Sequence, residues 1–299
     1  MTTTPLFRGT ATALVTPFTA DDTFDAFAFR HLIDYQIEGG VEALLVLGTT
    51  GENSTASDAE RERIVETAIA HVDGRVPVIV GTGNNATAES IARALQATAA
   101  GADGQLVVGP YYNKPMQTGF RAHVEAIAEA TDLPIILYNV PSRTRFNIEA
   151  ETVLQLASDV PSVVGIKEAS GDLAQISDIL AHRPEGLAVY AGDDEMVLPL
   201  AALGADGVVS VVSNALPGRF SDLVRSALAG DLASARRDHF ELLPALRACF
   251  AETNPIPIKA VLHEMGLVGP HLRLPMLPLS EAARPMVLDA FAPFLGVMV

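Results

Sequence analysis

Short apolar segments recur along the first two-thirds of the chain. Each contains consecutive Val, Ile, Leu or Ala residues without the polar alternation of a half-exposed strand, a pattern typical of parallel strands buried on both faces. Eight such segments lie at residues 11–18, 43–52, 76–83, 104–112, 133–142, 162–172, 187–194 and 207–214.

Amphipathic stretches lie between several of these segments and predict helices. Ser57 followed by Glu60 has the spacing of a capping box, and Gly101 stands where a helix is expected to end. The clearest stretches are residues 57–72, 87–100, 119–131 and 172–183.

The spacing of the predicted strands points to one fold. They begin about every 20 to 35 residues, the length of a strand–helix–strand unit. Eight such units in succession favour a (β/α)8 TIM barrel over a doubly wound sheet. After residue 230 the pattern changes to helices joined by Pro-rich links. We therefore expect an α/β fold, with residues 1–230 forming the catalytic barrel and residues 231–299 a C-terminal helical appendage packed on it.

Composition narrows the possible functions. The 299 residues include 36 acidic and 20 basic side chains, a formal net charge of −16, which argues against nucleic acid or an anionic membrane as a partner. No apolar run is long enough to cross a membrane, and the first residues lack the features of a signal peptide. A single cysteine excludes a disulfide framework. We expect a cytoplasmic protein, and we hypothesise that its acidic surface reflects a saline habitat.

One lysine stands out, because the chain has only three. In a TIM barrel the working groups lie at the C-terminal ends of the strands, and Lys167 follows Val-Val-Gly-Ile at the end of the sixth predicted strand. Burial disfavours a charged ammonium, and a neutral amine can attack a carbonyl to form a Schiff base. The alternative is a structural lysine paired with Glu168.

Other polar residues follow the neighbouring strands. Tyr138 ends the fifth predicted strand and could relay protons beside Lys167, or it could be a core aromatic. Thr49 and Thr50 could bind a small carboxylate, although a Gly-rich turn is the commoner role of such a motif. Arg143 suits bidentate binding of a second carboxylate, or it could be a surface arginine.

Two other kinds of site have weaker support. The segment 81–86 has the G-x-G-x-x-A spacing of a dinucleotide-binding turn, and Asp103 lies where a ribose-binding acid would. It belongs to the third unit, however, whereas such a turn normally opens the fold. The histidines lack metal-binding spacing, so we expect neither a metal site nor a cofactor.

Taken together, the strand-end motifs resemble those of the pyruvate-dependent class I aldolases related to dihydrodipicolinate synthase. The similarity extends over essentially the whole chain. Its motifs are Gly48-Thr-Thr-Gly-Glu52, Pro110-Tyr-Tyr-Asn113, Tyr138-Asn-Val-Pro-Ser-Arg-Thr144, Gly165-Ile-Lys-Glu-Ala-Ser-Gly171, Asn254-Pro-Ile-Pro-Ile-Lys259 and Leu272-Arg-Leu-Pro-Met276.

This resemblance implies roles for individual residues. Lys167 would form the Schiff base with pyruvate, and Tyr138, Thr50 and Tyr112 would relay protons, with Tyr112 reaching in from a neighbouring subunit. Thr49 and Thr50 would hold the pyruvate carboxylate. The remaining substrate-binding positions would be Arg143, for the carboxylate of aspartate semialdehyde, and Gly192 and Val209, whose backbone would line the site.

The resemblance further implies the reaction and the assembly. The product would be 4-hydroxy-tetrahydrodipicolinate, an intermediate of lysine and diaminopimelate biosynthesis. The family forms homo-oligomers, commonly tetramers built as dimers of dimers. Three alternatives stay open: another pyruvate lyase, such as N-acetylneuraminate lyase or a keto-deoxy-sugar aldolase, a non-catalytic keto-acid-binding barrel, and a nucleotide-binding barrel.

Feedback by lysine is a separate question raised by the resemblance. Asn85, Glu89 and Tyr111 correspond to an allosteric lysine site of the family. Asp58 and Arg61 stand where lysine-sensitive members often have histidines. We therefore expect inhibition by lysine to be weak or absent.

Overall fold

Eight parallel strands form the centre of the molecule in the computed structural model, which describes residues 5–295. Seven of the eight predicted apolar segments contain one strand each, shorter than the segment because the residues that follow turn into the loop above the barrel. The first strand begins at Gly9, two residues before the predicted segment. The strands are β1 Gly9–Ala13, β2 Ala43–Val46, β3 Val78–Gly81, β4 Gly104–Val108, β5 Ile135–Asn139, β6 Val163–Glu168, β7 Ala188–Ala191 and β8 Gly207–Ser210.

The strands close into a barrel in sequence order. Each strand pairs in parallel with the next, and β8 returns to β1, where Gly207 lies opposite Gly9. The expectation of a (β/α)8 barrel is confirmed.

Helices alternate with the strands, and further helices follow the last strand. Ser57 and Glu60 form the predicted capping box, and Gly101 ends the third helix with a φ of 90°. The helices are α1 Ala26–Glu38, α2 Asp58–Val72, α3 Thr87–Ala100, α4 Gln117–Ala130, α5 Pro141–Thr144, α6 Ala150–Asp159, α7 Leu173–His182, α8 Val197–Ala202, α9 Pro217–Leu228, α10 Leu232–Ala248, α11 Ile256–Glu264 and α12 Arg284–Phe291.

Two apolar clusters divide the interior. Alternate strand residues point outward, toward the helices, and inward, toward the barrel axis. On β5, Leu137 belongs to the outer cluster and Tyr138 to the inner one. At the base of the inner cluster the rings of Phe7 and Tyr190 stack with centroids 4.1 Å apart, and the Tyr190 hydroxyl donates to the Phe7 carbonyl oxygen at 2.9 Å. The barrel is therefore filled below the level of its strand ends.

The C-terminal helices share the outer core of the barrel. Helix α10 packs against α8, α9 and α12. Its Leu242 and Leu246, and Val261 of α11, are fully buried in the outer cluster. Among the helices of residues 5–295, none combines the length and apolar composition needed to cross a membrane.

Candidate active site

Lys167 and Tyr138 lie side by side at the C-terminal end of the barrel. They are direct partners in the register of β5 and β6, and both side chains point inward. The Lys167 Nζ atom lies 4.3 Å from the centroid of the Tyr138 ring. Only 5% of Lys167 is exposed. The predicted proximity of these two side chains is confirmed by the structure.

A cavity of about 230 Å³ opens above Lys167. This Lys167 cavity has the size of a site for a small molecule rather than a nucleotide. It is lined by Thr49, Thr50, Tyr138, Val140, Ser142, Arg143, Lys167, Ala169, Gly192, Asp193, Val211, Phe250 and Asn254.

Glu168 points away from this cavity, because successive residues of a strand face opposite sides. Its buried carboxylate accepts hydrogen bonds from Asn139 Nδ2 at 2.5 Å and Gln175 Nε2 at 2.9 Å. Burial raises the pKa of the Glu168 carboxyl, and these hydrogen bonds oppose the rise. The alternative of a structural Lys167–Glu168 pair is therefore wrong, since Glu168 is bound by amides on the outer side of the barrel.

The loop after β2 brings two hydroxyl groups to the cavity. Thr49 and Thr50 both line it, and Thr50 is only 3% exposed. The Thr50 hydroxyl accepts a hydrogen bond from Asn254 Nδ2 at 3.0 Å. The turn ends at Glu52, which has a left-handed φ of 53° and a buried carboxylate. These hydroxyls are thus held by a tightly packed loop.

Arg143 lies on α5, the single helical turn that follows β5. Pro141 fits the first position of such a turn because its φ is already helical. The Arg143 side chain is exposed at the rim of the Lys167 cavity, and its Nη2 donates to the Asn254 carbonyl oxygen at 3.3 Å. The guanidinium can therefore meet a carboxylate that enters from solvent.

Gly192 and Val209 lie at different depths. Gly192 lines the cavity, and its N–H donates to the Glu168 carbonyl oxygen at 2.7 Å. Val209 belongs to the inner apolar cluster together with Tyr138, and the residue of this segment that lines the cavity is Val211. The structure brings Gly192, but not Val209, to the cavity wall.

Tyr112 is not part of the cavity of its own chain. Its side chain is 93% exposed, and its φ of 70° lies in the left-handed region, which is uncommon for a tyrosine. The loop after β4 therefore directs this ring outward, away from Lys167.

A second cavity, of about 200 Å³, adjoins the first and shares Thr49, Tyr138 and Arg143 with it. Tyr111 lines this second cavity and accepts a hydrogen bond from Asn84 Nδ2 at 3.5 Å.

The other residues of the possible lysine site lie on helices or their approaches. Glu89 forms an ion pair with Arg93 at 2.9 Å, and the Asn85 carbonyl oxygen accepts from Asn113 Nδ2 at 2.9 Å. Arg61 is fully buried, and its Nη2 donates to the Gly81 carbonyl oxygen at 2.7 Å. Burial lowers the pKa of Arg61 to about 10.

The glycine-rich turn at 81–86 is explained by packing. A Cβ atom on Gly81 would lie 2.1 Å from the Leu47 carbonyl oxygen, and one on Gly83 would lie 2.4 Å from the Val108 nitrogen. Asp103 lies at the opposite, N-terminal end of the barrel, where its carboxylate accepts from the Val78 N–H at 2.8 Å. The ribose role considered for Asp103 is therefore wrong.

The structure also reveals site residues that the sequence reasoning missed. Phe250 and Asn254, from the segment between α10 and α11, line the Lys167 cavity, so the appendage contributes to the site. The buried pair of Lys259 and Glu52, joined at 2.5 Å, ties α11 to the Thr49–Thr50 loop. The motif Asn254–Lys259 indicated that this segment is part of the family pattern, but no local pattern predicts which residues it contacts.

Comparison with known proteins identifies relatives over nearly the whole chain. The profile of the Dihydrodipicolinate synthetase family matches residues 6–292. The 4-hydroxy-tetrahydrodipicolinate synthase of Salinibacter ruber is 64% identical over 296 residues, which cover 98% of each chain. The enzyme of the same name from Nitratidesulfovibrio vulgaris is 48% identical over 286 residues, covering 96% of this chain and 98% of the relative.

Solved structures agree with these relatives. The dihydrodipicolinate synthase of Thermotoga maritima superposes with a TM-score of 0.94 at 44% sequence identity, and the match covers 96% of this chain and 98% of that one. A structure described as the first monomeric dihydrodipicolinate synthase variant has a TM-score of 0.94 and 43% identity, and the match covers 96% of both chains.

Proposed function

The chain belongs to the Dihydrodipicolinate synthetase family, and we propose that it catalyses the 4-hydroxy-tetrahydrodipicolinate synthase reaction for which its relatives are named. In this reaction pyruvate condenses with aspartate semialdehyde. The observation that carries the proposal is the buried Lys167 amine beside the Tyr138 ring, at the base of a cavity of about 230 Å³.

The chemistry begins at the Lys167 nitrogen. Its attack on the ketone carbon of pyruvate gives a carbinolamine, which loses water to form an imine. The imine withdraws electrons from the methyl group, so loss of a methyl proton gives an enamine. The enamine carbon attacks the aldehyde carbon of the second substrate, and the aldehyde oxygen takes up a proton. The amine of that substrate then displaces Lys167 from the imine carbon and closes the ring.

The side chains around the cavity suit these steps. Tyr138 and Thr50 carry hydroxyl groups that can accept and return protons beside the reacting carbons. Thr49 and Thr50 line the cavity and would hold the carboxylate of pyruvate, which would fix its ketone carbon toward Lys167. Arg143, at the rim, suits the carboxylate of the second substrate. Of the two proposed backbone positions, Gly192 lines the cavity, whereas Val209 lies in the inner apolar cluster.

We propose that the working enzyme is a homo-oligomer of at least two subunits, with a tetramer built as a dimer of dimers as its assembly. The support is Tyr112, which is exposed in a single chain although the family role requires it in an active site. A neighbouring subunit would provide the cavity that this ring enters. Sedimentation of the Tyr112→Ala variant tests whether the ring also holds the subunits together.

We propose that free lysine inhibits the enzyme weakly or not at all. Asn85, Glu89 and Tyr111 are present, but the buried Arg61 guanidinium interacts electrostatically with both Glu89 and Tyr111. A fixed cation near these groups disfavours the binding of a second cation. Half-inhibition by submillimolar lysine would contradict this proposal.

We place the enzyme in the cytoplasm. Its one cysteine, Cys249, is buried and unpaired, as is usual in proteins from reducing compartments. The proposed substrates are small metabolites of amino-acid biosynthesis.

Trapping with borohydride tests the proposed function. Incubation with pyruvate followed by reduction should leave a stable adduct on Lys167, located by peptide mass spectrometry. Turnover should require pyruvate and aspartate semialdehyde, whereas sialic acid and keto-deoxy-gluconate test the related lyases. A chain that forms no adduct on Lys167 would contradict the proposed enzyme and leave the non-catalytic barrels as alternatives.

A further inference from the structure

We propose that Asn254 is a positioning residue, whose side-chain amide sets the direction of the hydrogen bond at Thr50 and so directs the Thr50 proton into the Lys167 cavity. The inference rests on the proposed function of that cavity, in which Thr50 passes protons to and from pyruvate. It assigns part of the reaction to the C-terminal helices.

The contacts of Asn254 join two parts of the site. The residue is 5% exposed and lines the Lys167 cavity, between α10 and α11. Its Nδ2 atom donates to Thr50 Oγ1 at 3.0 Å, and its carbonyl oxygen accepts from Arg143 Nη2 at 3.3 Å. One residue therefore contacts a proposed proton carrier with its side chain and a proposed carboxylate ligand with its backbone.

The chemistry of an amide gives this contact a direction. An amide nitrogen donates hydrogen bonds and does not accept them, so the Thr50 oxygen is the acceptor in this pair. Thr50 has one O–H group, which stays available to donate to another atom in the cavity. Within residues 5–295, Asn254 is the hydrogen-bond partner of the Thr50 hydroxyl. An acceptor in place of the amide would draw the Thr50 proton away from the cavity.

The oxygen atom of the same amide indicates that packing alone does not explain why an asparagine occupies position 254. Asn254 Oδ1 is buried and has no hydrogen-bond partner within the described part of the chain. A buried acceptor without a partner lowers stability, and an apolar side chain of similar size would avoid that cost. The donor side of the amide is therefore the feature that the site uses.

Asn254→Asp tests the direction of this hydrogen bond, because it keeps the shape and replaces the donor by an accepting carboxylate. The measurement is exchange of the pyruvate methyl hydrogens in deuterated water, followed by NMR, which needs no second substrate. We expect the exchange rate to fall about 10- to 100-fold at neutral pH. Borohydride should still trap pyruvate on Lys167.

The pH dependence separates this role from a structural one. A protonated carboxylic acid can again donate to Thr50, so the ratio of the variant's exchange rate to the parent's should rise as pH falls. A structural role predicts a ratio that does not change with pH. Asn254→Ala is the matched control, because it removes the donor without adding an acceptor. It should lose less activity than Asn254→Asp, whereas a packing role predicts the reverse.

A Thr50→Val background excludes a general effect of the added charge. In that background Asn254→Asp should lower the residual exchange rate by less than about threefold, with no dependence on pH. An effect of the new carboxylate on Lys167 or Arg143 would persist there and would overturn the proposal.

Additive losses in the double variant, or a greater loss for Asn254→Ala than for Asn254→Asp, would also overturn it. If Asn254→Asp does not fold, the test uses Asn254→Ala and Thr50→Val. The proposal then requires that the loss of exchange rate in their double variant be smaller than the sum of the two single losses. Failure of the unmodified enzyme to form the borohydride adduct would contradict the proposed function itself, which is a distinguishable result.

Discussion

Two of the three lysines in the chain are buried, and both amines lie over an aromatic ring, but their charge partners differ. Lys259 is 1% exposed, pairs with Glu52 at 2.5 Å and donates to the His271 carbonyl oxygen at 2.9 Å. Lys167 faces the Tyr138 ring, and the ion pairs found within residues 5–295 do not include it. One amine is thus fixed by an anion, and the other is left facing a cavity.

The comparison shows that burial alone does not make a lysine a nucleophile. Burial lowers the pKa of Lys259, but its attraction to Glu52 opposes that change. An amine bound to a carboxylate and a carbonyl oxygen has no free lone pair with which to attack a substrate. The charge partner therefore separates a structural lysine from a chemical one.

Removing the Lys167 amine should have the largest effect. Lys167→Ala should lower kcat/KM by about 10³-fold or more, because the covalent intermediate cannot form. The borohydride adduct should disappear. Chemical denaturation should show only a small loss of stability, since no ion pair is broken. A variant that kept its adduct would assign the nucleophile to another residue.

Breaking the Lys259–Glu52 ion pair should lower the stability of the chain and leave the Lys167 amine in place. Lys259→Met leaves Glu52 buried without its cation, so the free energy of unfolding should fall by about 3–5 kcal/mol. Where the variant is folded, borohydride should still label Lys167.

The matched control is the double variant Lys259→Met with Glu52→Gln, which removes both charges. It should recover most of the lost stability. Equal losses in the single and double variants would show that the ion pair is not what holds α11 to the barrel.

Tyr138→Phe changes the group beside the Lys167 amine. The ring beside the amine is retained, while the hydroxyl proposed to relay protons is lost. We expect kcat to fall about 10²-fold, with the thermal midpoint almost unchanged. Unaltered kcat would leave Tyr138 with a packing role only.

Asp194 is another buried charged residue, held by backbone N–H groups instead of a cation. Its carboxylate accepts from Val211 and Val212 at 3.1 and 2.8 Å, and burial raises its pKa from 3.8 to about 6. The folded chain therefore binds this proton more tightly than the unfolded chain. Ionisation opposes folding, with a cost that is absent below pH 4, grows between about pH 4 and 6, and is complete above pH 6.

Asp194→Asn removes this titration. Relative to the parent, the unfolding free energy of the variant should rise by about 1–3 kcal/mol as pH increases from about 4 to 6. Urea titrations at several pH values measure it. A difference that is constant across this range would show that Asp194 keeps its ordinary pKa in the folded chain.

The barrel and the part of the site carried by its strands could be predicted from local sequence patterns. Strand spacing predicted eight units, and neighbouring strands placed Tyr138 beside Lys167, because consecutive strands of a barrel pair directly. The period of two could also have excluded the Lys167–Glu168 pair, since adjacent strand residues face opposite sides.

The rest of the site depends on contacts between distant parts of the chain. Asn254 meets Thr50 across 204 residues, and Lys259 meets Glu52 across 207. No periodicity or capping signal encodes such a pairing, because it results from how α10 and α11 pack on the finished barrel. Treating residues 231–299 as an appendage therefore understated their part in the site.

The stacked rings of Phe7 and Tyr190 restrict how small molecules can reach Lys167. They fill the barrel near the N-terminal ends of its strands, so the Lys167 cavity opens to solvent at the C-terminal ends. In the proposed reaction both substrates would reach Lys167 from this side of the barrel, and the one that binds second would lie nearer to solvent. The proposed reaction would then require pyruvate to bind before the second substrate, because the position beside Lys167 is the deeper one.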